Sequence, residues 1–177
     1  MWFDGGSRGN PGRAGAGALL RTREGVLVWQ GRRYLPDPGT TCNVAEYAAL
    51  QLGLREARRR RIRRLSVRGD SLLVVKQTTA QWRVHAPHLQ PICAATRVLW
   101  ESFPAATRSL RHVRRTYNHE AHLLADEAIE QRRSWEWHYG GAITAEQSHL
   151  VVAEGDIEQD SRHMTTCYDG DGHEDHR

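Results

Sequence analysis

Between Gly5 and Gly12, four of eight residues are glycine and one is proline. Glycine costs a helix interior about 1 kcal/mol relative to alanine, and an internal proline about 3 kcal/mol. No helix crosses this stretch, so the chain opens on a short apolar run, residues 1–4, that ends on an acid and enters a turn. Ala14–Leu20 and Val26–Tyr34 then read as two strands. Arg21 to Gly25 between them has the length and the glycine of a hairpin connection, and Pro36-Asp37-Pro38-Gly39 closes the unit.

Helical periodicity begins next. Asn43 is placed to cap a helix with Glu46 three residues on, as in a capping box. Ala45, Ala48, Ala49, Leu52 and Leu54 to Ala57 supply an apolar face, and the helix runs out in Arg58 to Arg61. Residues 65–69 fit a strand, Asp70-Ser71 caps a second helix over 72–79, and residues 87–100 form a third helical stretch. Residues 110–115 fit another strand, and 118 to about 132 a last amphipathic helix with Ala121, Leu124, Ala125, Ala128 and Ile129 on one side. Three consecutive strands with short links predict an antiparallel meander, and strands separated by helices predict parallel crossovers. The fold class is therefore α/β, a five-stranded mixed sheet flanked by helices over residues 1–133. Residues 134–153 form a C-terminal extension with room for a short helix or strand, in which Trp135, Trp137 and Tyr139 are placed to pack the tail onto the domain. Residues 154–177 are expected to be an acidic, disordered tail.

Charge narrows the partner class. Residues 154–177 hold eight acids and two arginines, so against a whole-chain charge of +4 the preceding residues carry +10. Of 25 basic residues only Lys76 is a lysine; guanidinium forks suit phosphate oxygens. A basic domain of this kind expects a nucleic acid, while its acidic end is either a solvated tail or a segment that folds back on the basic surface. Arg58 to Arg64 is expected to be a solvated helix end that adds salt-dependent affinity. Cys42, Cys93 and Cys167 lack metal-ligand spacing, and an odd, sparse count fits a reducing intracellular compartment. No stretch is long and apolar enough for a membrane span, no signal peptide opens the sequence, and a longer natural N-terminus stays open.

Three acids share one kind of position. Asp4 ends the first strand, Glu46 lies in the first turn of a helix, and Asp70 follows the fourth strand at a helix start. Acids at strand ends and on a covering helix can converge, and such crowding repels unless cations neutralise it. Hard oxygen ligands suit magnesium or manganese. Taken singly, each has a plainer role: turn starter, capping-box acid, helix cap.

With their flanks the acids resemble a family. Asp4 to Gly12 followed by Ala14-Gly15-Ala16-Gly17 looks like the opening motif of the type I ribonucleases H; Asn43 to Leu50 looks like the family's glutamate helix. Gly69-Asp70-Ser71-Leu72-Leu73-Val74 is similar to its third motif, and Asn118-His119-Glu120-Ala121 with Leu124-Ala125 to its last helix. The resemblance covers roughly residues 2–132, and is strongest to the short plant- and microbe-type members, because Gln77 to Pro91 leaves no room for a long basic protrusion. It implies a ribonuclease-H-like fold and a metal-dependent endonuclease that cuts the RNA strand of RNA–DNA hybrids with two Mg2+ or Mn2+ ions, expected with substrate. It further implies that Asp4 bridges both ions while Glu46 and Asp70 hold the one nearer the leaving group. The loop glycines, Gly5 and Gly6 among them, let backbone donors approach the substrate, with Ser7, Asn10 and Asn43 sensing 2′-hydroxyls. Arg8 and Ser71 complete the candidate nucleic-acid contacts. Trp82 sits where relatives place an aromatic near the DNA strand, against the alternative of a core tryptophan.

One position departs from the pattern. Where the family carries a fourth carboxylate, this chain has His122, a candidate catalytic and metal-binding residue with no negative charge and poor affinity for magnesium. Asp126, one turn later, either reaches inward or stays a solvated acid. His119 is a candidate for proton ferrying or product release, against a solvated histidine. The expectation is reduced activity that favours manganese, in a monomer with no obligate protein partner and no membrane. Two rivals remain: a catalytically weak or silent domain that binds hybrid or double-stranded RNA, and a domain cut from a retroelement polyprotein.

Overall fold

The computed structural model of the protein describes residues 1–139. The expected tail, 154–177, and all but the first residues of the 134–153 extension lie outside them. Strands β1 (Trp2–Arg8), β2 (Arg13–Arg21) and β3 (Leu27–Leu35) form the antiparallel meander, registered Trp2↔Leu19 to Arg8↔Arg13 and Ala14↔Leu35 to Arg21↔Leu27. Helix α1 (Cys42–Arg59) leads to β4 (Leu65–Gly69), which runs parallel to β1. Helices α2 (Leu72–Thr78) and α3 (Gln90–Glu101) lead to β5 (Arg108–His112), parallel to β4. Helix α4 (His119–Gln131) is followed by β6 (Trp135–His138), antiparallel to β3. Among the described residues the sheet has six strands in the order β5-β4-β1-β2-β3-β6, one more than the five expected. The added strand lies in the 134–153 extension, where the sequence leaves room for a short helix or strand; its Trp-Glu-Trp-His run alternates, but it is only four residues long and all four are exposed.

Strand β2 explains the layering. Its start alternates alanine and glycine, and successive side chains of a strand point to opposite faces. Ala16, Ala18 and Leu20 join the main core beneath α1 with Phe3, Tyr47, Leu50 and Leu54. Gly15 and Gly17 face α4: a Cβ on Gly17 would lie 2.4 Å from the Ala121 carbonyl oxygen, and one on Gly15 2.2 Å from that of Ala125. On the other face, a Cβ on Gly5 would lie 2.2 Å from the Ala45 carbonyl carbon. Gly5→Ala is therefore expected to destabilise the fold by about 3 kcal/mol, the upper range for overpacking; a urea denaturation midpoint within error of the parent would contradict this close approach.

Several boundaries differ from those predicted, each for a local reason. β1 continues through Arg8, so Asp4 lies within the strand and only Gly9 to Gly12 turn, with Gly9 at φ +88° and a cis Asn10–Pro11 bond. Helix α1 is capped by Thr41, whose Oγ1 accepts from the Val44 N–H at 3.3 Å, while Asn10 Oδ1 accepts from the Cys42 N–H at 3.0 Å. Those two acceptors serve the first turn, so Asn43 is a buried residue inside the helix, and Glu46 lies beyond the first turn with its side chain free of any capping box. Ser71 alone caps α2, accepting from the Val74 N–H at 3.4 Å, which releases Asp70 from that task. α3 starts at Gln90 rather than Pro87. β5 starts two residues early because Arg108, polar by type, stacks on Trp100 at 4.9 Å and donates to the Trp100 carbonyl at 2.6 Å. The arginine cluster is only partly solvated: Arg59 and Arg60 each bind the buried Glu56 at 2.6 Å.

Candidate active site

The close approach at Gly5 brings α1 against the strand that bears Asp4. The approach at Gly17, the register partner of Asp4 on β2, seats α4 beside it, and β4 runs parallel to β1 and delivers Asp70. Ligand oxygens of Asp4, Glu46 and Asp70 all lie within 4.8 Å of one another. Asp4 and Glu46 are buried and Asp70 half-buried. Among the described residues no arginine or lysine forms an ion pair with any of the three, and Glu46 Oε2 is buried without a hydrogen-bond partner. Burial, then the charges of Asp4 and Asp70, push the Glu46 carboxyl well above its ordinary range. Burial and Asp4 push Asp70 up to about 6. An uncompensated oxygen facing two further carboxylates is a poor resting place for protein alone and a good one for a hard divalent cation. The donor set fits magnesium or manganese.

Around the acids lies a polar shell. His122 Nδ1 sits 2.7 Å from Asp4 Oδ2, and its Nε2 sits 3.3 Å from Asp126 and 2.9 Å from Arg115. The hydrogen bond with Asp4 raises the tendency of His122 to hold its proton, against a smaller opposing effect of burial. Asp126 is drawn toward the site rather than left in solvent, and pairs also with Arg8 at 3.5 Å. Asn118, which sequence places at a helix start, sits at the N-cap of α4 without a side-chain cap bond: its Nδ2 donates to the Phe3 carbonyl at 2.8 Å and to Asp70 Oδ1 at 2.7 Å. Neither Asn118 nor Arg115 was legible as a site residue, since an asparagine before a helix reads as a cap and Arg115 is one of four arginines between 108 and 115.

The remaining candidates scatter around this centre. Gly5, Gly6, Ser7 and Arg8 lie along β1, and the Ser7 hydroxyl donates to Cys42 Sγ at 3.6 Å. Asn10 and Ser71 have side-chain oxygens engaged in helix capping. Trp82 is exposed, which removes the core reading, and stands in a cleft of about 440 Å3 with Arg83, Val84, Gln90 and Arg97. His119 is exposed and lines a different cleft, beside Trp2, Thr116 and Tyr117.

The titrations fix a pH dependence for the metal-free protein. Glu46, Asp70 and His122 all hold protons more tightly folded than unfolded, so each contributes stability at low pH that is lost as pH rises. The loss begins near the ordinary carboxylate range, about 4, and passes through about 6, where Asp70 titrates. Thermal melts in chelator are expected to show Tm falling over this window, and divalent cation is expected to reverse the fall above it. A Tm that climbs between pH 5 and 7 in chelator would contradict the crowded-acid arrangement.

Comparison with known proteins agrees with this geometry. A family model described as reverse transcriptase-like matches residues 2–128. Ribonuclease HI of Halobacterium salinarum is 38% identical over 129 residues, which are 73% of this chain and 63% of that protein. A bifunctional protein of Mycobacterium tuberculosis is 35% identical over 151 residues, 85% of this chain and 39% of its own length. The chain thus spans less than two thirds of the length of these curated relatives. Among solved structures, the Halobacterium ribonuclease H1 superposes with a TM-score of 0.68, covering 73% of this chain and 96% of the other. A ribonuclease H1 isolated from compost, solved in complex with an RNA/DNA hybrid, superposes at 0.67 with 30% identity, covering 74% and 96%. With the motifs, the mixed sheet and the carboxylate cluster in the same order, the chain belongs to the type 1 ribonuclease H family.

Proposed function

We propose that this chain is a metal-dependent endonuclease that hydrolyses the RNA strand of RNA–DNA hybrids, acting as a monomer. The observation that carries the reading is the cluster of Asp4, Glu46 and Asp70, together with the buried and unpartnered Glu46 Oε2. These three residues would hold the two Mg2+ or Mn2+ ions. Bound there, the ions supply a Lewis acid for water and neutralise charge on the leaving 3′ oxygen. Asn118 fixes the Asp70 carboxylate through its 2.7 Å hydrogen bond and so holds that oxygen in one orientation. Gly6, where a Cβ would meet nothing within 4 Å, leaves the backbone of β1 open beside the cluster, and Arg8 and Trp82 offer charge and an aromatic face to the two strands of a hybrid. His122 stands where it can share a proton with Asp4, and Asp126 steadies its far nitrogen.

One observation favours a second reading, a weak or silent domain that binds hybrid or double-stranded RNA. The imidazole occupies Asp4 Oδ2 at 2.7 Å, which leaves one fewer free oxygen on the carboxylate offered to a metal. Cleavage of an end-labelled hybrid, with Mg2+ and Mn2+ in separate reactions, separates the two. Turnover that exceeds that of Asp4→Asn, and is greater with Mn2+, is the expected result. Tight hybrid binding with no turnover in either metal would leave the silent reading standing.

A further inference from the structure

Trp82 stands on a turn with no apolar anchor of its own. The chain leaves α2 through Ala80, whose left-handed φ of +61° ends the helix, and from Thr79 to Arg83 no side chain is buried. Hydrogen bonds hold the turn instead. The Lys76 carbonyl accepts from the Gln81 and Trp82 N–H groups at 2.9 and 3.1 Å, which ties the turn to the end of α2. Helix α2 is only seven residues long, too short to persist without support. The turn therefore needs a link to the body of the fold.

Gln77 supplies that link. It lies in the last turn of α2, 6% exposed, and both ends of its side-chain amide are engaged. Its Nε2 donates to the Arg83 carbonyl at 3.2 Å, and its Oε1 accepts from the Tyr47 hydroxyl at 2.7 Å. A carbonyl can only accept, so Arg83 dictates which end of the amide faces the turn, and the oxygen is left to face Tyr47. Tyr47 is fully buried in the core and directly follows Glu46 in α1. The backbone carbonyl of Gln77 accepts from Arg97 Nη2 and Nε at 2.6 and 3.0 Å. Arg97 belongs to α3 and lines the same cleft as Trp82. One buried residue thus joins the helix of Glu46, the turn of Trp82 and α3.

We propose that Gln77 is a positioning residue for hybrid binding: it touches no substrate, but it holds the Trp82 ring in a fixed place relative to Glu46. A hybrid can then rest its DNA strand on the ring while its RNA strand lies on the carboxylates. The inference rests on the reading that a hybrid binds across these two places. Its effect falls on binding rather than on the chemical step. Without the Gln77 amide, the Gly5 contact and the Asn118 bond still seat the three acids. The turn, however, has to be ordered anew each time a hybrid arrives.

The test is a double-variant cycle on the full chain, read as steady-state cleavage of an end-labelled hybrid. Gln77→Met keeps the length of the side chain and removes both hydrogen bonds. It should raise KM about tenfold, the scale of one lost stacking contact, and leave kcat within about twofold. Trp82→Ala should raise KM by a similar factor. The two together should raise it no more than about twofold beyond the larger single effect, because both remove the same contact. If Gln77→Met unfolds, Tyr47→Phe frees the same amide from α1 with a smaller change and must show the same split and the same coupling to Trp82. A second readout needs no cleavage. In chains carrying fluorotryptophan, the fluorine resonance of Trp82, assigned through Trp82→Phe, should be sharp in the parent and broadened or split in the residue 77 or 47 variant. An unchanged resonance, KM effects that multiply, or a loss confined to kcat overturns the proposal. A parent chain that neither binds nor cleaves hybrid overturns the functional reading and this inference with it, and the parent's own kinetics tell that outcome from a failure at Gln77 alone.

Discussion

Asp4→Asn is expected to lower hybrid cleavage on the order of 10³-fold or more, the range seen when one charged element of a preorganised site is removed. The reason is its place in the cluster: Asp4 contributes to the upward shifts of both Glu46 and Asp70 and is hydrogen-bonded to His122. Removing its charge has a second consequence of opposite sign. Without that charge Glu46 and Asp70 titrate closer to their ordinary range, so the metal-free protein should lose less stability between pH 4 and 7 than the parent does. Rate and melting curves together test the site: a rate loss with an unchanged Tm-versus-pH profile would place Asp4 outside the electrostatic cluster.

The second large effect is a gain. His122→Asp is expected to raise magnesium-supported cleavage by about tenfold or more and manganese-supported cleavage by less, because a carboxylate suits the harder ion and imidazole does not. The substitution also frees Asp4 Oδ2 from its 2.7 Å partner. Arg115, 2.9 Å from the imidazole, is placed to neutralise part of the new charge. The fold should survive, since α4 is seated through Gly15 and Gly17 rather than through residue 122. In chelator, however, a fourth acid beside Asp4 and Asp126 should lower Tm. Loss of cleavage in both metals by a folded His122→Asp protein would show that the imidazole itself serves the reaction.

The element order and the meeting of Asp4, Glu46 and Asp70 were legible from sequence, because glycine content, periodicity and motif spacing are local signals. What escaped was set by long-range partners. Asn43 reads as a helix cap until Asn10, 32 residues earlier, supplies the acceptor for the Cys42 N–H. Asn118 reads only as the start of the last helix, and its amide donation to the Phe3 carbonyl, 115 residues away, is not visible from there. Asp126 reads as solvated until Arg8 and His122 draw it inward. In each case the deciding partner lies far away in the chain, and the sequence around the residue does not describe it.

Strand β6 has a practical consequence. It covers β3 from Trp29 to Arg32, and the cation–π contact of Arg32 with Trp135 at 5.6 Å ties it down. A chain truncated at 133 would leave the nine residues of β3 bare along one edge, a template for pairing between molecules. Such a truncation should be prone to aggregate at concentrations where residues 1–139 stay dispersed. The four exposed residues of β6 would then act chiefly as a guard on the sheet.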